Sequence, residues 1–521
     1  MVAHTMLTIR EGNTGILYIS QNGKNEEKYI PDCDLEKTRL LLTEFQELKD
    51  ANGNYLKDNY KFGDFDWYPS MVSFLYWHIF FPYVKYMPIL HDVFDKKVSI
   101  NFLNKAELYA INNIVNDGSK KIRLRDLIFY SLIRINNKFV IRWFPYKLMF
   151  FRFSFDDFRS TEIRKELDNL DIKYIQVVPP GRIREVAKYL LKRQPYYYCG
   201  GMSFNNYFNI KYDLHGLGNY KKILFQKTIH IIGNTISAYI KEYKAHSKTI
   251  AKSQIKVFYG FDDCNGYIFP LLYALKENGI FTIGHQHGAY AKRHAGYIME
   301  GISSENYEWF DKVIVWGSYW KKLLLDHSKA YTVDLFEIGG NKFKFDYSLV
   351  NTKAEDTKNI LIPYEFAGNT FKIGKYIEKF IELGYTIYFK PRPDEKIEDQ
   401  LAAYCLPNEV NKKIIIAEKL DHDLISKIDI VAGAMTTLIY EMLPYNKVIW
   451  ILDTEYKHLH DLVDYNLAHK ITLDNLENLE ERFFQKTTIN VEEFFSSENL
   501  SETLKKHIIP RLGNGALRSD E

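Results

Sequence analysis

Two segments in the last third of the chain carry the side chains best suited to chemistry. The loop Lys390-Pro391-Arg392-Pro393 holds two cations between prolines, and an arginine fork suits phosphate oxygens. The segment 433–437 begins with Gly433 and ends with Thr436 and Thr437 at the start of a predicted helix. Free amides at a helix start favour an anion, and the hydroxyls add donors. Both segments therefore predict a site for a phosphorylated ligand.

Glu441 belongs to the same predicted site. It follows Thr437 by one helical turn and shares its face of the helix. In the alternative interpretation, Thr436 only caps this helix and Glu441 is a surface charge. The loop 390–393 has a similar alternative, a rigid surface turn with solvated charges.

A third segment brings two imidazoles to one turn after a predicted buried strand. Gln286 lies between His285 and His287, and Gly288 permits the chain to turn tightly. Gln286, His287 and Gly288 are predicted to face a ligand, whereas His285 could equally be a core histidine bonded to the backbone. Zinc is disfavoured, because His294 is the only further histidine nearby and no cysteine has matching spacing.

Carboxylates at the ends of predicted strands are candidates for a general base. Asp262 and Asp263 follow the strand 255–259, and Asp157 follows the run 148–155. Each could accept a proton from a hydroxyl, and each could instead cap the next helix. Asp262 is the preferred base, and His287 is a further catalytic candidate.

Two Asp-x-Asp sequences, at 32–34 and 421–423, raise the question of a metal site. Each precedes or begins a helical pattern, so both are interpreted as helix caps. No metal and no cofactor are expected.

The elements that must position these residues alternate regularly. Apolar runs at 359–363, 386–389, 414–416, 428–431 and 448–452 are separated by helical patterns at 371–383, from about 421, and after 433. Strands that alternate with helices predict right-handed βαβ units and a parallel sheet. Ligands of such sheets bind beyond the carboxyl ends of the strands, where the loops described above lie.

A weaker alternation of the same kind is predicted upstream. Its strands are 148–155, 173–178, 255–259, 280–283, 312–316 and 335–338, with helices at 160–170, 267–277 and 317–326. The segment 339–358, rich in Gly, Asn and charged residues, is the predicted linker. The predicted domains are therefore an N-terminal extension (1–140) and two Rossmann-like domains (141–345 and 346–510).

Composition limits the classes of function. The chain has 521 residues, with 46% hydrophobic and 26% charged, which is typical of a globular protein of two or three domains. The net charge of +3 is too small to indicate nucleic-acid binding. Four scattered cysteines disfavour structural zinc and a disulfide framework. The sequence also lacks a signal peptide pattern, and its most apolar window, 71–90, contains charged residues and prolines, so cytoplasmic residence is predicted.

These patterns together resemble the GT-B glycosyltransferases, and more narrowly the bacterial enzymes that build capsule or lipopolysaccharide. The resemblance is carried by the two predicted halves, the linker, the Gln286-His287-Gly288 turn and the G-x-x-T-T-x-x-x-E helix start at Gly433, and covers roughly residues 250 to 455. It implies an α/β GT-B fold, in which two Rossmann-like domains face a central cleft. The resemblance implies that the first domain (141–345) binds the acceptor and the second (346–510) binds the nucleotide donor. It also implies that Glu441 binds the nucleotide ribose. Arg392 departs from the family pattern, because several relatives carry a His-Pro pair at this loop.

The predicted function is metal-independent, inverting transfer of a sugar from a CMP- or UDP-linked donor to a growing surface polysaccharide or lipopolysaccharide. A polyol-phosphate (teichoic-acid-type) transferase, a sugar-nucleotide 2-epimerase and a non-catalytic GT-B scaffold are the alternatives. The expected partners are the donor and a glycan or lipid-linked glycan acceptor. Peripheral contact with the inner membrane could involve the aromatic and basic run 138–152, which fits a buried strand pair at least as well.

Overall fold

The computed structural model describes residues 6–11, 16–21, 24–29, 33–86, 99–103, 124–153, 157–180, 183–200, 208, 210–261, 266–340, 358–365, 370–393, 395–486 and 489–513. Within these residues the chain forms two large parallel sheets covered by helices, together with a smaller N-terminal sheet. The predicted α/β class with two Rossmann-like units is confirmed.

The N-terminal part of the chain adds a small sheet and a helical segment. Strands β1 (Met6–Glu11), β2 (Ile16–Gln21), β3 (Lys24–Tyr29) and β6 (Ser99–Leu103) pair in the order β3-β2-β1-β6, while β4 (Lys61–Phe62) and β5 (Phe65–Asp66) form a hairpin. Helix α1 (Leu35–Gln46) and the helical segment 72–86, which contains a π-helical turn over Leu75–Phe80, pack on the rest of the molecule. Phe45 and Phe80 meet Phe225 at ring-centroid distances of 5.0 and 6.2 Å. Buried residues of 33–86 thus share one core with the first large sheet.

The first large sheet has seven parallel strands in the order β13-β12-β11-β10-β7-β8-β9. They are β7 (Leu148–Phe151), β8 (Tyr174–Val178), β9 (Tyr196–Tyr198), β10 (Val257–Phe261), β11 (Phe281–His285), β12 (Lys312–Val315) and β13 (Phe336–Ile338). The associated helices are α2 (Leu124–Trp143), α3 (Thr161–Asn169), α4 (Ile183–Leu191), α5 (Asn219–Ile250), α6 (Phe269–Glu277) and α7 (Ser318–His327). The central strands β7 and β10 are buried at every position, as expected for a sheet covered on both faces.

The second large sheet has six parallel strands in the order β16-β15-β14-β17-β18-β19. They are β14 (Asn359–Pro363), β15 (Thr386–Lys390), β16 (Ile415–Ile416), β17 (Ile430–Gly433), β18 (Val448–Leu452) and β19 (His469–Ile471). Helices α8 (Thr370–Glu382), α9 (Ile397–Ala402), α10 (His422–Lys427), α11 (Leu438–Met442), α12 (His460–Asp464) and α13 (Leu500–His507) accompany them along the chain. Short helical segments occur at Ala295–Ile298, Asn408–Asn411, Val491–Phe494 and Ile509–Leu512.

The end of the chain returns to the first sheet. Leu504 and Ile508 pack with Leu148 and Phe150 of β7, and the Trp320 indole N–H donates to the carbonyl of Phe494 at 2.8 Å. The sequence did not indicate this return. The three predicted domain boundaries stay predictions, and most of the predicted linker lies outside the described residues.

Other sequence interpretations are decided by the local structure. Asp34 caps α1 and Asp421 caps α10, each accepting a backbone N–H, at 2.9 and 3.0 Å. Both Asp-x-Asp interpretations as caps are therefore confirmed. The run 138–152 forms the end of α2 and the buried strand β7. Among the described residues, no helix is long and apolar enough to cross a membrane.

Candidate active site in the cleft between the two sheets

A cavity of about 800 Å³ lies between the two large sheets. Its walls come from the segments that follow β7, β11, β14, β15, β17 and β18, so the carboxyl ends of both sheets meet there. Trp77 and Ser73 of the segment 72–86 close one side. This is the position at which parallel α/β sheets bind ligands.

The cationic loop after β15 lines this cavity. Lys390 and Arg392 are both half-buried, and burial lowers the pKa of the Lys390 ammonium while the charges of Glu418 and Glu441 oppose that shift. The loop is held by Gln400, a fully buried residue of α9. Its side-chain amide accepts from the Arg392 N–H and donates to the Arg392 carbonyl, both at 2.8 Å.

The segment after β17 differs from the expectation of free amides. Glu365, buried after β14, accepts hydrogen bonds from the backbone N–H groups of Ala434 (2.7 Å) and Met435 (3.0 Å). Gly433 makes room for this carboxylate, because a Cβ there would lie 2.7 Å from Glu365 Oε1. Burial raises the pKa of Glu365, and the amides of the segment counteract the rise. The prediction that these amides are open to phosphate is therefore wrong for two of them. Gly433 provides space for the Glu365 carboxylate and does not line the cavity.

The hydroxyls and the carboxylate of this segment do face the cavity. Thr436, Thr437 and Glu441 line it. The Thr437 hydroxyl accepts a hydrogen bond from the Ala289 N–H at 3.1 Å, so it joins the loop after β11 to the segment after β17. The Thr436 hydroxyl accepts the N–H of Leu438 at 3.4 Å, as a helix cap does.

The side chains of the imidazole segment lie in different surroundings. His285 points into the core, where its Nδ1 pairs with the hydroxyl of buried Tyr259, so it is the core histidine allowed by the sequence. Gln286 is also buried and does not line the cavity. Its side chain accepts from the Trp316 N–H and donates to the Gly288 carbonyl, both at 2.9 Å, and it therefore braces the turn. The predicted contact of Gln286 with the donor stays a prediction.

His287 and Gly288 do line the cavity. The His287 ring packs against Phe153 and Phe261 at centroid distances of 5.0 and 5.6 Å. Its Nδ1 lies 3.4 Å from the hydroxyl of Tyr297. Gly288 does not adopt a positive φ, and a Cβ there would be in ordinary van der Waals contact with the Thr437 hydroxyl, at 3.5 Å.

The carboxylates named as bases fall into two groups. Asp262 and Asp263 lie outside the described residues, directly after β10. Asp157 is buried and does not line the cavity; its Oδ1 accepts from Arg159 Nε at 3.0 Å. The Arg159 guanidinium lies over the Phe153 ring, 3.9 Å from its centroid, and lines the cavity. Asp157 therefore positions a cation in this structure, and its role as a base stays a prediction.

Aromatic and histidine rings form the part of the cavity wall that sequence reasoning missed. Trp77, His294 and His458 line it and contact one another. They lie far apart in the chain, and neither their spacing nor any motif connects them. One signal in the sequence was available for His458. It follows the predicted strand 448–452, and the loops after parallel strands lie where ligands bind.

Ion pairs connect the two halves beside this wall. The fully buried carboxylate of Asp461 accepts from Arg293 Nη1 (3.0 Å) and from the Lys292 N–H (2.7 Å). Burial raises the pKa of Asp461 to about 6, although both cations act to lower it. On the N-terminal side, Lys85 pairs with buried Glu455 at 3.0 Å.

Two parallel α/β sheets whose carboxyl ends enclose one cavity give this chain the GT-B architecture. No known protein-family profile matches the chain. It is 27% identical over 364 residues to an uncharacterized protein of Methanocaldococcus jannaschii, an alignment that covers 63% of this chain and 64% of the relative. The chain thus spans less than two thirds of the length of the curated relative it matches.

Several solved structures are similar at low identity. MurG of Acinetobacter baumannii is 13% identical, with a TM-score of 0.35 and coverage of 65% of this chain and 89% of that one. The calicheamicin glycosyltransferase CalG4 is 10% identical, with a TM-score of 0.40 and coverage of 71% and 95%. UDP-GlcNAc 2-epimerase of Methanocaldococcus jannaschii, in complex with UDP-GlcNAc and UDP, is 14% identical, with a TM-score of 0.37 and coverage of 69% and 98%. At these values the matches carry no argument about the reaction of this chain.

Proposed function

We propose that this protein is a glycosyltransferase that moves a sugar from a nucleotide-sugar donor to a growing surface polysaccharide or lipopolysaccharide. The observation that carries the proposal is the composition of the cavity between the sheets. Lys390 and Arg392, the hydroxyls of Thr436 and Thr437, and the carboxylate of Glu441 line one wall of it. A cation pair suits a diphosphate, and a nearby carboxylate suits the hydroxyls of a ribose.

Each group has a role in the proposed transfer. Lys390 and Arg392 stabilise the negative charge that develops on the departing phosphate, and Gln400 holds Arg392 in place for that task. Thr436 and Thr437 contribute hydroxyl donors, and Glu441 binds the ribose. Because Glu365 already occupies two amides of this segment, side chains supply most of the phosphate contacts.

The candidate bases are Asp262 and His287. Asp262 follows β10 in the sequence and lies outside the described residues, whereas His287 lines the cavity from the first sheet. One of them accepts the proton of the acceptor hydroxyl. The reaction is proposed to be inverting and independent of metal, with a CMP- or UDP-linked donor. The acceptor is a glycan or lipid-linked glycan at the cytoplasmic face of the inner membrane.

The direct test is donor binding by the full-length protein and by Arg392→Met. CMP, UDP and their sugar derivatives are screened by thermal shift and titration calorimetry, because a ligand of the folded state raises the melting temperature. We expect one nucleotide to bind and Arg392→Met to weaken it about 10–100-fold. The control is Arg482→Met, at an exposed arginine of the same half that does not line the cavity.

Three results would contradict the proposal in different ways. Absence of binding by every nucleotide would indicate a non-catalytic scaffold. Conversion of a bound UDP-sugar to its C2 epimer without an acceptor would indicate the epimerase alternative. Turnover of a CDP-polyol would indicate the polyol-phosphate transferase.

A further inference from the structure

The wall formed by Trp77, His294 and His458, here called the histidine recess, is built from three separate parts of the chain. Trp77 comes from the segment 72–86, His294 from the loop after β11, and His458 from the loop after β18. The centroid distances are 5.4 Å from Trp77 to each imidazole and 5.5 Å between the imidazoles. The Trp77 and His458 rings are stacked, with an interplanar angle of 24°.

The recess holds polar atoms that lack partners. Both ring nitrogens of His458, Nδ1 of His294 and Nε1 of Trp77 have no hydrogen-bond partner among the described residues. His458 is only 6% exposed. A buried polar group left unpaired costs free energy, which a ligand that pairs with it recovers. Because the three side chains line the cavity, a rotation of their rings would present these nitrogens to a ligand there.

The recess is also uncharged. Burial lowers the pKa of His294 to about 4 and that of His458 to about 3, and the proximity of the two imidazoles and of Arg293 adds to the shift of His458. The cations around it are paired with carboxylates, Arg293 with Asp461 and Lys85 with Glu455, both at 3.0 Å. The neutral imidazoles offer no positive charge to an anionic group, whereas they can both donate hydrogen bonds to hydroxyls and accept hydrogen bonds from them.

The order of the strands locates the recess relative to the cationic loop. Lys390 and Arg392 follow β15, Glu441 follows β17 and His458 follows β18, in the sheet order β15-β14-β17-β18. Neighbouring strands are ~4.8 Å apart, so three spacings separate the ends by on the order of 14 Å. With the phosphates between the cationic loop and the hydroxyls of Thr436 and Thr437, and the ribose at Glu441, the group beyond the phosphates can lie on the side of the cavity where His458 is.

We infer that the histidine recess binds the uncharged sugar ring of the donor. This inference rests on the proposed function and narrows it, because it favours a neutral hexose or N-acetylhexosamine over an acidic sugar. The apolar face of the sugar packs on the aromatic rings, and its hydroxyls pair with the imidazole and indole nitrogens. The two halves of the molecule each supply one imidazole, so the sugar is recognised only across the cleft.

The test separates the nucleotide from the sugar. Titration calorimetry measures UDP, UDP-glucose, UDP-N-acetylglucosamine, CMP and CMP-N-acetylneuraminate against the full-length protein, His458→Phe and His294→Phe. We expect at least one neutral sugar to tighten binding over its parent nucleotide by about tenfold in the wild type. Either substitution should remove that gain while the affinity for the nucleotide alone is unchanged. The acidic sugar should give no gain.

His507→Phe is the matched control. His507 is equally buried, at 4% exposure, but does not line the cavity, so its replacement should leave the gain intact. A gain that survives both recess substitutions, or a gain given only by the acidic sugar, would overturn the inference while leaving nucleotide binding in place. If no nucleotide binds, the proposed function fails. Ligand-observed NMR with free glucose and N-acetylglucosamine then decides: binding that depends on His458 supports a sugar recess, and no binding overturns it.

Discussion

At the scale of single residues, the walls of the cleft divide the chemistry between them. The cationic loop, with Lys390 and Arg392, lies on the second sheet, and His287 lies on the first. A reaction in which one wall holds a phosphate and the other removes a proton fits this arrangement.

The first prediction tests the base. Asp262→Asn keeps the shape of the side chain and removes its basicity, so turnover with the identified donor should fall about 10²–10⁴-fold while donor affinity is retained. Asp421→Asn is the matched control, because Asp421 caps α10 and asparagine caps as well as aspartate does. Turnover within a few-fold of the wild type would assign the proton to His287, and His287→Asn would then be the decisive variant.

The second prediction concerns the two hydroxyls. Thr436→Ala combined with Thr437→Ala should weaken nucleotide binding by about 1–3 kcal/mol without unfolding the protein. Thr437 also accepts the Ala289 N–H, so the serine pair at both positions is the control that retains the hydroxyls. An unchanged dissociation constant in the alanine pair, measured by calorimetry, would remove these residues from the donor site.

At the scale of elements, the segment between β17 and α11 depends on a carboxylate from another strand. Glu365 fixes two of its amides and reaches them only because Gly433 lacks a side chain. The third prediction follows from this close approach. Gly433→Ala should destabilise the protein by roughly 1–3 kcal/mol, because the added methyl forces the buried carboxylate away from its donors.

Urea unfolding measures this cost. The control is Gly218→Ala, where a Cβ meets nothing within 4 Å, and the loss there should stay below about 1 kcal/mol. Equal effects at the two glycines would mean that Glu365 does not depend on the space at Gly433.

The sequence predicted the repeating elements well for a physical reason. Short apolar runs between helical patterns leave few alternatives, so β14 and β18 coincide with the predicted runs at 359–363 and 448–452. Contacts between distant segments leave no local pattern. Three contacts were not predicted, because each depends on which loops the fold brings together. They are the hydrogen bonds of Glu365 to the amides of 434 and 435, the hydrogen bonds of Gln286 to Trp316 and Gly288, and the stacking of Trp77 on His458.

At the scale of the whole molecule, the fourth prediction concerns metal. The proposed site meets phosphate charge with Lys390 and Arg392, so transfer should persist in EDTA. The measurement is the initial rate with the identified donor and acceptor, before and after EDTA treatment. Loss of activity that Mn²⁺ or Mg²⁺ restores would contradict the metal-independent mechanism.

The fifth prediction concerns how pH affects the closed cleft. Burial lowers the pKa of His294, His458 and His460 to about 4, 3 and 4. Below pH 6.5 these imidazoles are protonated in the unfolded chain but stay neutral in the folded protein. Proton binding therefore favours the unfolded state, and the free energy of unfolding decreases as pH falls below 6.5. Asp461, whose pKa is raised to about 6, acts in the opposite sense, because its folded form gains a proton first. Because three histidines lower the stability and one aspartate raises it, we expect this region to lose unfolding free energy between pH 6.5 and 5.

Comparison of the wild type with His458→Phe isolates one of these groups from every other titration. Removing the imidazole should make the loss of unfolding free energy between pH 6.5 and 5 smaller by on the order of 2 kcal/mol. Urea unfolding followed by tryptophan fluorescence provides the measurement, since Trp77 stacks on His458. Parallel pH profiles would mean that His458 is solvated or paired in solution. In that case the recess would lack the unpaired nitrogens through which it is inferred to recognise a sugar. A smaller dependence of the unfolding free energy on pH in the variant would instead show that the folded protein keeps the His458 imidazole neutral and buried, as the inferred contact with a sugar hydroxyl requires.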